Sequence, residues 1–258
     1  MNTLKLECLS WPEIRDALNA GYTRVIIPVA SIEQHGYHLP ENTDTVLGEA
    51  AAVMVAEKLG HTLVAPAIRP GISPHHMALP GTLTLRPETF RMLLEDYVTC
   101  YLRHGFRQIV FLCSHGGNVK PCERVAAEIG ALHPEAEILT VADVPSPDEL
   151  RQLEAHFSLP EATNGGHADE RETSEMLSIC PELVHMDKAQ PGYCRPLTPS
   201  LLNRFFEEGV TSLTDVGCIG DPRPASPEAG IWYREQAVSL IARRIRTLSE
   251  KNFKEDAP

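Results

Sequence analysis

Three segments of the sequence bring histidines, carboxylates and glycines together in combinations suited to chemistry. The first reads Ser31-Ile32-Glu33-Gln34-His35-Gly36 and runs on to Asn42-Thr43-Asp44. Glu33 and His35 are two apart, so in extended backbone they point to the same side. With Asp44 they form a donor set of intermediate hardness, suited to Zn, Mn or Fe(II). Asp44 alone would serve equally well as a cap for a helix from Thr45; the three together point to a metal. The second segment, Ser114-His115-Gly116-Gly117-Asn118, places an imidazole before two glycines that let backbone approach an ion or ligand closely. On its own it is also good turn chemistry. The third runs from Gly165 to Ser174 and adds His167, Asp169, Glu170 and Glu172. A helix starting near Asp169 puts Glu170 and Ser174 on one face and turns Glu172 elsewhere. Acidic residues at a helix start also follow from the macrodipole. His75 and His76 lie on a Gly/Pro-rich loop, where His76 is expected to face substrate and a surface pair is the competing reading.

The elements that must position these segments alternate regularly. Ser10 and Glu13 form a capping box for a helix that stops at Gly21. Apolar, β-branched runs at 24–30, 62–68, 108–113 and 137–142 read as strands buried on both faces. Helical patterns at 45–59, 86–103 and 121–132 separate them. Such alternation means βαβ units, a mainly parallel sheet and helices on both sides. Ligands in sheets of this kind sit at the carboxyl ends of the strands, where the three segments begin. A polar helix at 147–156, a Pro-rich region and a long amphipathic helix at 227–250 complete the chain. No repeat or Ser/Gly linker divides it, so one domain over residues 1–258 is expected.

Composition narrows the partners and the compartment. The 258 residues carry 23 Lys and Arg against 35 Asp and Glu, a formal charge of −12. That balance excludes nucleic acid and an anionic membrane surface as partners. Seven scattered cysteines with no C-x-x-C pair indicate free thiols and a reducing, cytoplasmic setting. The first twenty residues lack a signal peptide's apolar core, and no apolar stretch approaches the roughly 18 residues of a membrane span.

The motifs S-x-E-Q-H-G with the aspartate of N-T-D, S-H-G-G-N, and H-A-x-E-x-E-T-S occur in that order. Together with G-T-L-T-L at 81–85 and G-D-P at 220–222, they resemble the creatininase (creatinine amidohydrolase) family from about Arg24 to the closing helix. The resemblance implies a three-layer α/β/α sandwich with a mainly parallel central sheet, often a homo-hexamer. It implies one or two divalent ions per subunit (Zn, Mn or Fe): Glu33 and His115 on one metal, His35 on the second, Asp44 between them. His167 would assist proton transfer to the leaving group. Creatininase has a further metal-binding glutamate two residues after the strand-end histidine, where this chain has Gly117. Either Glu170 (or Glu172) substitutes for that ligand or the second site is weak or empty; Glu170 is the candidate metal ligand and catalytic group beside His167. The aromatic and acidic residues that grip creatinine are missing before His167, where the chain reads Ala162-Thr163-Asn164-Gly165-Gly166.

The expected activity is hydrolysis of a C–N bond in a small cyclic amide, formamide or peptide-like substrate by metal-activated water. His76, Gly116, Gly117 and Asn118 are the substrate-binding candidates. A ring-opening C–C or lactone-type hydrolase, or a non-catalytic metal- or ligand-binding homologue, are the alternatives. Ser31 and Ser114 lack the G-x-S-x-G context of a serine nucleophile.

Overall fold

The computed structural model describes residues 2–143 and 146–255. Strands β1 (Arg24–Val29), β2 (Thr62–Val64), β3 (Gln108–Cys113) and β4 (Glu137–Ala142) form a parallel sheet in the order β2-β1-β3-β4. Successive side chains of each strand go to opposite faces, and both faces are apolar. Val25, Ile27, Val29, Ile109 and Phe111 pack under α1 (Trp11–Asn19), α3 (Pro87–His104) and α4 (Val119–Leu132). Ile26, Val64, Val110, Leu112 and Val141 pack against α2 (Thr43–Leu59) and α8 (Pro227–Glu255). The result is the expected three-layer α/β/α sandwich.

Chain order reverses direction between β1 and β3: β2 lies to one side of β1, and β3 and β4 to the other. The helices leaving β1 and β3 cover opposite faces, which opens a crevice at the carboxyl ends of these two strands. The first two motif segments, Ser31–His35 and Ser114–Asn118, leave the sheet at that crevice.

Some boundaries differ from expectation for local reasons. The second strand ends at Val64 because Pro66 has no N–H for the ladder; Ile68 returns to pair with Val29 as an isolated bridge. Three elements, two strands and a helix, go beyond the expected set. β5 (Asn164–His167) and β6 (Ile219–Gly220) form a short antiparallel pair outside the main sheet. Within the Pro-rich region, α7 (Pro199–Glu208) starts at Thr198, whose hydroxyl accepts from the backbone N–H of Leu201. Helices α5 (Pro147–His156) and α6 (Glu170–Ile179) lie where the pattern put them.

Candidate metal centre

Glu33, His35, Asp44, His76, His115, His167 and Glu172 converge at the crevice, every one of them buried. Glu33 Oε1 lies 3.2 Å from His115 Nδ1, 3.5 Å from His76 Nε2 and 3.7 Å from His167 Nδ1. Asp44 reaches both ends of the cluster: Oδ2 is 3.4 Å from His115 Nδ1 and Oδ1 is 3.3 Å from His35 Nε2. His35 Nε2 also lies 3.7 Å from Glu172 Oε2.

Backbone carbonyls orient the rings. His35 Nδ1–H donates to the Glu33 carbonyl at 2.9 Å, so its Nε2 faces the carboxylates. His115 Nε2–H donates to the Ile72 carbonyl at 3.0 Å, leaving Nδ1 inward. His167 Nε2 lies 2.9 Å from both the Gln34 carbonyl and Gln34 Nε2; because the carbonyl only accepts, Nε2–H donates to it, again leaving Nδ1 inward. Gln34 sets the fourth ring. Its Oε1 accepts from Gly36 N–H, so its Nε2 is the donor to His76 Nδ1 at 2.7 Å and to the Gly217 carbonyl at 3.2 Å. A neutral His76 must then carry its proton on Nε2.

Four buried polar atoms inside the cluster have no hydrogen-bond partner: Glu33 Oε2, His35 Nε2, Asp44 Oδ2 and His76 Nε2. A folded chain rarely leaves such atoms unsatisfied, because each costs about 1–3 kcal/mol. His76 Nε2 carries that ring's proton, whereas the inward lone pairs of His35, Glu33 and Asp44 on one small volume are the donor set of a divalent cation. Glu33, His35 and Asp44 meet the spacing for a shared ion, as do His35, His167 and Glu172, and Glu33, His76 and His167. The residues fit the group.

The electrostatics agree. Burial disfavours protonated His35, but Asp44, Glu172 and Glu33 outweigh it and raise its pKa to about 10. His115 is raised well above the usual value by Glu33 and Asp44, again against the effect of burial. Protons occupy those nitrogens where a cation would otherwise sit. Burial instead lowers His76 to about 4, so that ring is neutral at pH 7. Glu172 is raised by burial to about 8, an effect that His35 and Arg171 oppose.

Two expectations fail on geometry. Glu170 stands apart from the cluster and does not line the cavity beside it. Its carboxylate accepts from Ser174 Oγ at 2.7 Å, Tyr233 OH at 2.7 Å and Asn164 Nδ2 at 3.2 Å, which ties α6 to α8 and β5. Asp169 caps α6 by accepting from the N–H of Glu172 at 3.0 Å, and this phase sends Glu172, rather than Glu170, towards His35. Glu170 and Ser174 do share a face, but it is the face that packs on α8. Asn118, expected against substrate, is fully buried: its Oδ1 accepts from Ile72 N–H at 2.9 Å and its Nδ2 donates to the Ala30 carbonyl at 3.0 Å. It fastens the Ile72 and Ala30 loops beneath His115. His76, Gly116, Gly117 and His75 line the cavity.

Gly117 has no room for the glutamate its position would carry in creatininase. A Cβ there would lie 2.3 Å from the Ile72 carbonyl oxygen and 2.5 Å from His115 Nε2. The carboxylate nearest His35 besides Asp44 comes from Glu172 on another element.

A buried cluster of imidazoles and carboxylates at the open end of a parallel three-layer sandwich defines a hydrolase-type site. The sequence model of the creatininase family, described as creatinine amidohydrolase, matches residues 7–245. The mycofactocin precursor peptide peptidase of Mycolicibacterium smegmatis is 34% identical over 227 residues, covering 86% of this chain and 84% of the relative. The creatinine amidohydrolase of Pseudomonas putida is 30% identical over 254 residues, covering 92% and 94%. A solved structure of creatininase with Mn superposes with a TM-score of 0.78 at 26% identity, covering 95% of this chain and 98% of its own. The chain belongs to the creatininase family and is a hydrolase of that family. Among the described residues, no helix is long and apolar enough to cross a membrane.

Proposed function

We propose that this chain is a divalent-metal-dependent amidohydrolase acting on a peptide-like amide. The observation that carries the reading is the set of unpartnered, buried Glu33, His35 and Asp44 atoms facing one another in the cluster. Glu33, His115 and Asp44 would hold one ion; His35, Asp44 and Glu172 would hold a second, with Zn, Mn and Fe all suited to these ligands. When bound, such an ion polarises a carbonyl oxygen and makes hydroxide available near neutral pH.

The protein supplies the remaining chemistry. His167 Nδ1 faces the site without a proton, because Nε2 holds the proton against the Gln34 carbonyl. Burial, with His76 and His35 nearby, keeps its pKa well below the usual value. The ring therefore meets the attacking water as a base, then returns the proton to the leaving nitrogen as the C–N bond breaks. His76, neutral and held by Gln34, presents Nε2–H to the oxygen that gains charge in the tetrahedral intermediate. Gly116 and Gly117 keep backbone rather than side chain at the cavity wall beside His115. A peptide-like amide is favoured over a small lactam because the cavity, about 350 Å³, extends well beyond the cluster. The peptidase activity named for the M. smegmatis relative supports the same choice.

Homo-oligomerisation belongs to this reading. Trp11, Met92 and Leu132, on α1, α3 and α4 of one outer layer, are large apolar side chains left 72%, 61% and 76% exposed.

Chelator-treated protein reloaded with Zn or Mn, assayed on short peptides, formamides and lactams, tests the function. Metal-restored cleavage of peptides is the expected result. Absence of any metal-stimulated C–N cleavage would overturn it.

A further inference from the structure

The cavity does not stop at the metal centre. From Glu33, Asp44 and His115 it runs to a wall built by α7 and the segment before it, where Leu197, Leu202, Phe205 and Phe206 face inward. His75 joins the two ends. Its ring stacks on His115 at 5.6 Å between centroids with an 8° interplanar angle, and meets the edges of Phe205 and Phe206 at 4.9 Å each. Phe205 is buried, whereas Phe206 and Leu202 remain 46% and 43% exposed. The facing side is kept low by Ala162, Gly165 and Gly166, and a Cβ added at Gly116 or Gly166 would meet nothing within 4 Å. Arg151, Glu154, Glu161 and Arg195 also line the cavity, so its apolar part is the α7 wall itself.

Half-exposed Phe and Leu side chains lining a concavity leave apolar surface in water that an apolar occupant would cover. Because the same void is lined at its other end by the proposed ligands, that occupant is attached to whatever the centre cleaves. We infer that the α7 chamber is the subsite for a bulky apolar side chain next to the scissile amide, so the substrate is a peptide with an aromatic or branched aliphatic residue at the cleaved bond. This rests on the amidohydrolase reading for the word "scissile", but not for the preference itself.

Binding separates the two. N-acetyl-L-phenylalaninamide and N-acetylglycinamide are titrated into the full chain and followed by ligand-observed NMR, with Mn and again with chelator. Burying the benzyl group predicts about tenfold or more tighter binding of the phenylalanine compound in both conditions. Phe206→Ala combined with Leu202→Ala, both half-exposed and tolerable to the fold, should bring that ratio close to unity. A ratio near one in the unaltered chain, or an unchanged ratio in the double variant, overturns the subsite. An unchanged ratio together with a smaller assembly mass would show instead that a second copy of the chain covers α7. If the preference stands but no peptide is cleaved in any metal, the subsite survives and the hydrolytic reading fails.

Discussion

Replacing Glu170 and Glu172 one at a time by glutamine separates holding the fold from holding a metal. Glu170 is 1% exposed and accepts three side-chain hydrogen bonds, two of them at 2.7 Å. Hydrogen bonds to a charged group contribute about 1.5–3 kcal/mol each, and loss of all three bonds would be severe. Glutamine keeps the shape and one oxygen, which in the Oε2 position can still accept from Tyr233 and Asn164. Its amide nitrogen, however, would oppose one of the present donors. A loss of about 1–2 kcal/mol follows, or a Tm lower by roughly 2–8 °C in a chain of this size. The metal content of Glu170→Gln should equal that of the unaltered chain. In Glu172→Gln the amide can still accept from the Ala168 N–H, now 2.7 Å from Glu172 Oε2, so the helix start survives. The charge beside His35 is lost, and about one ion per chain should be lost with it. Thermal denaturation and elemental analysis of the two proteins, purified side by side, read both effects. Loss of metal in Glu170→Gln with full metal in Glu172→Gln would refute the reasoning.

Other outcomes follow from single contacts. Gln34→Glu converts the donor to His76 Nδ1 into an acceptor and moves the ring proton off Nε2; kcat should fall about 10²–10³-fold with metal content unchanged, as for loss of an oxyanion donor. Tyr233→Phe removes the 2.7 Å bond to Glu170 and should cost about 1.5–3 kcal/mol in denaturant unfolding while leaving kcat/KM intact. Gly117→Ala places a methyl 2.3 Å from the Ile72 carbonyl and 2.5 Å from His115 Nε2, so it should destabilise by about 1–3 kcal/mol and weaken metal retention measured by competition with a chelator.

The sheet and its helices were legible because both rest on local patterns. Gln108–Cys113 is apolar after its first residue and Glu137–Ala142 is apolar but for Glu137 and Thr140; both are bounded by turns, and their ends agree with the sequence reading to the residue. Glu33, His35 and His115 likewise follow the carboxyl ends of β1 and β3, a position that parallel topology assigns to ligands, whereas Asp44 opens α2 and His167 ends β5. The failures are of a different kind. Which of Glu170 and Glu172 faces the cluster depends on whether α6 packs its Glu170–Ser174 face on α8, a contact some sixty residues away in the chain that no local pattern encodes. Asn118 looked like a ligand-loop residue because its neighbours are; its burial under His115 follows from the approach of the Ile72 loop. Helix α7 was hidden by the prolines around it, although Thr198 followed by Pro199 is an N-cap and first-turn signal that could have revealed it. β5 and β6 are too short and glycine-rich to show strand periodicity.

The central claim is that the buried cluster is a divalent metal centre. Calorimetric titration of chelator-treated protein with Mn or Zn, for the unaltered chain and for His115→Ala, tests it most directly. The account predicts binding of at least about one ion per chain with proton release, since His35 and His115 carry protons in the metal-free cluster, and loss of the tightest binding in the variant. Stoichiometry well below one ion per chain at saturating metal, or identical titrations for the two proteins, would contradict it.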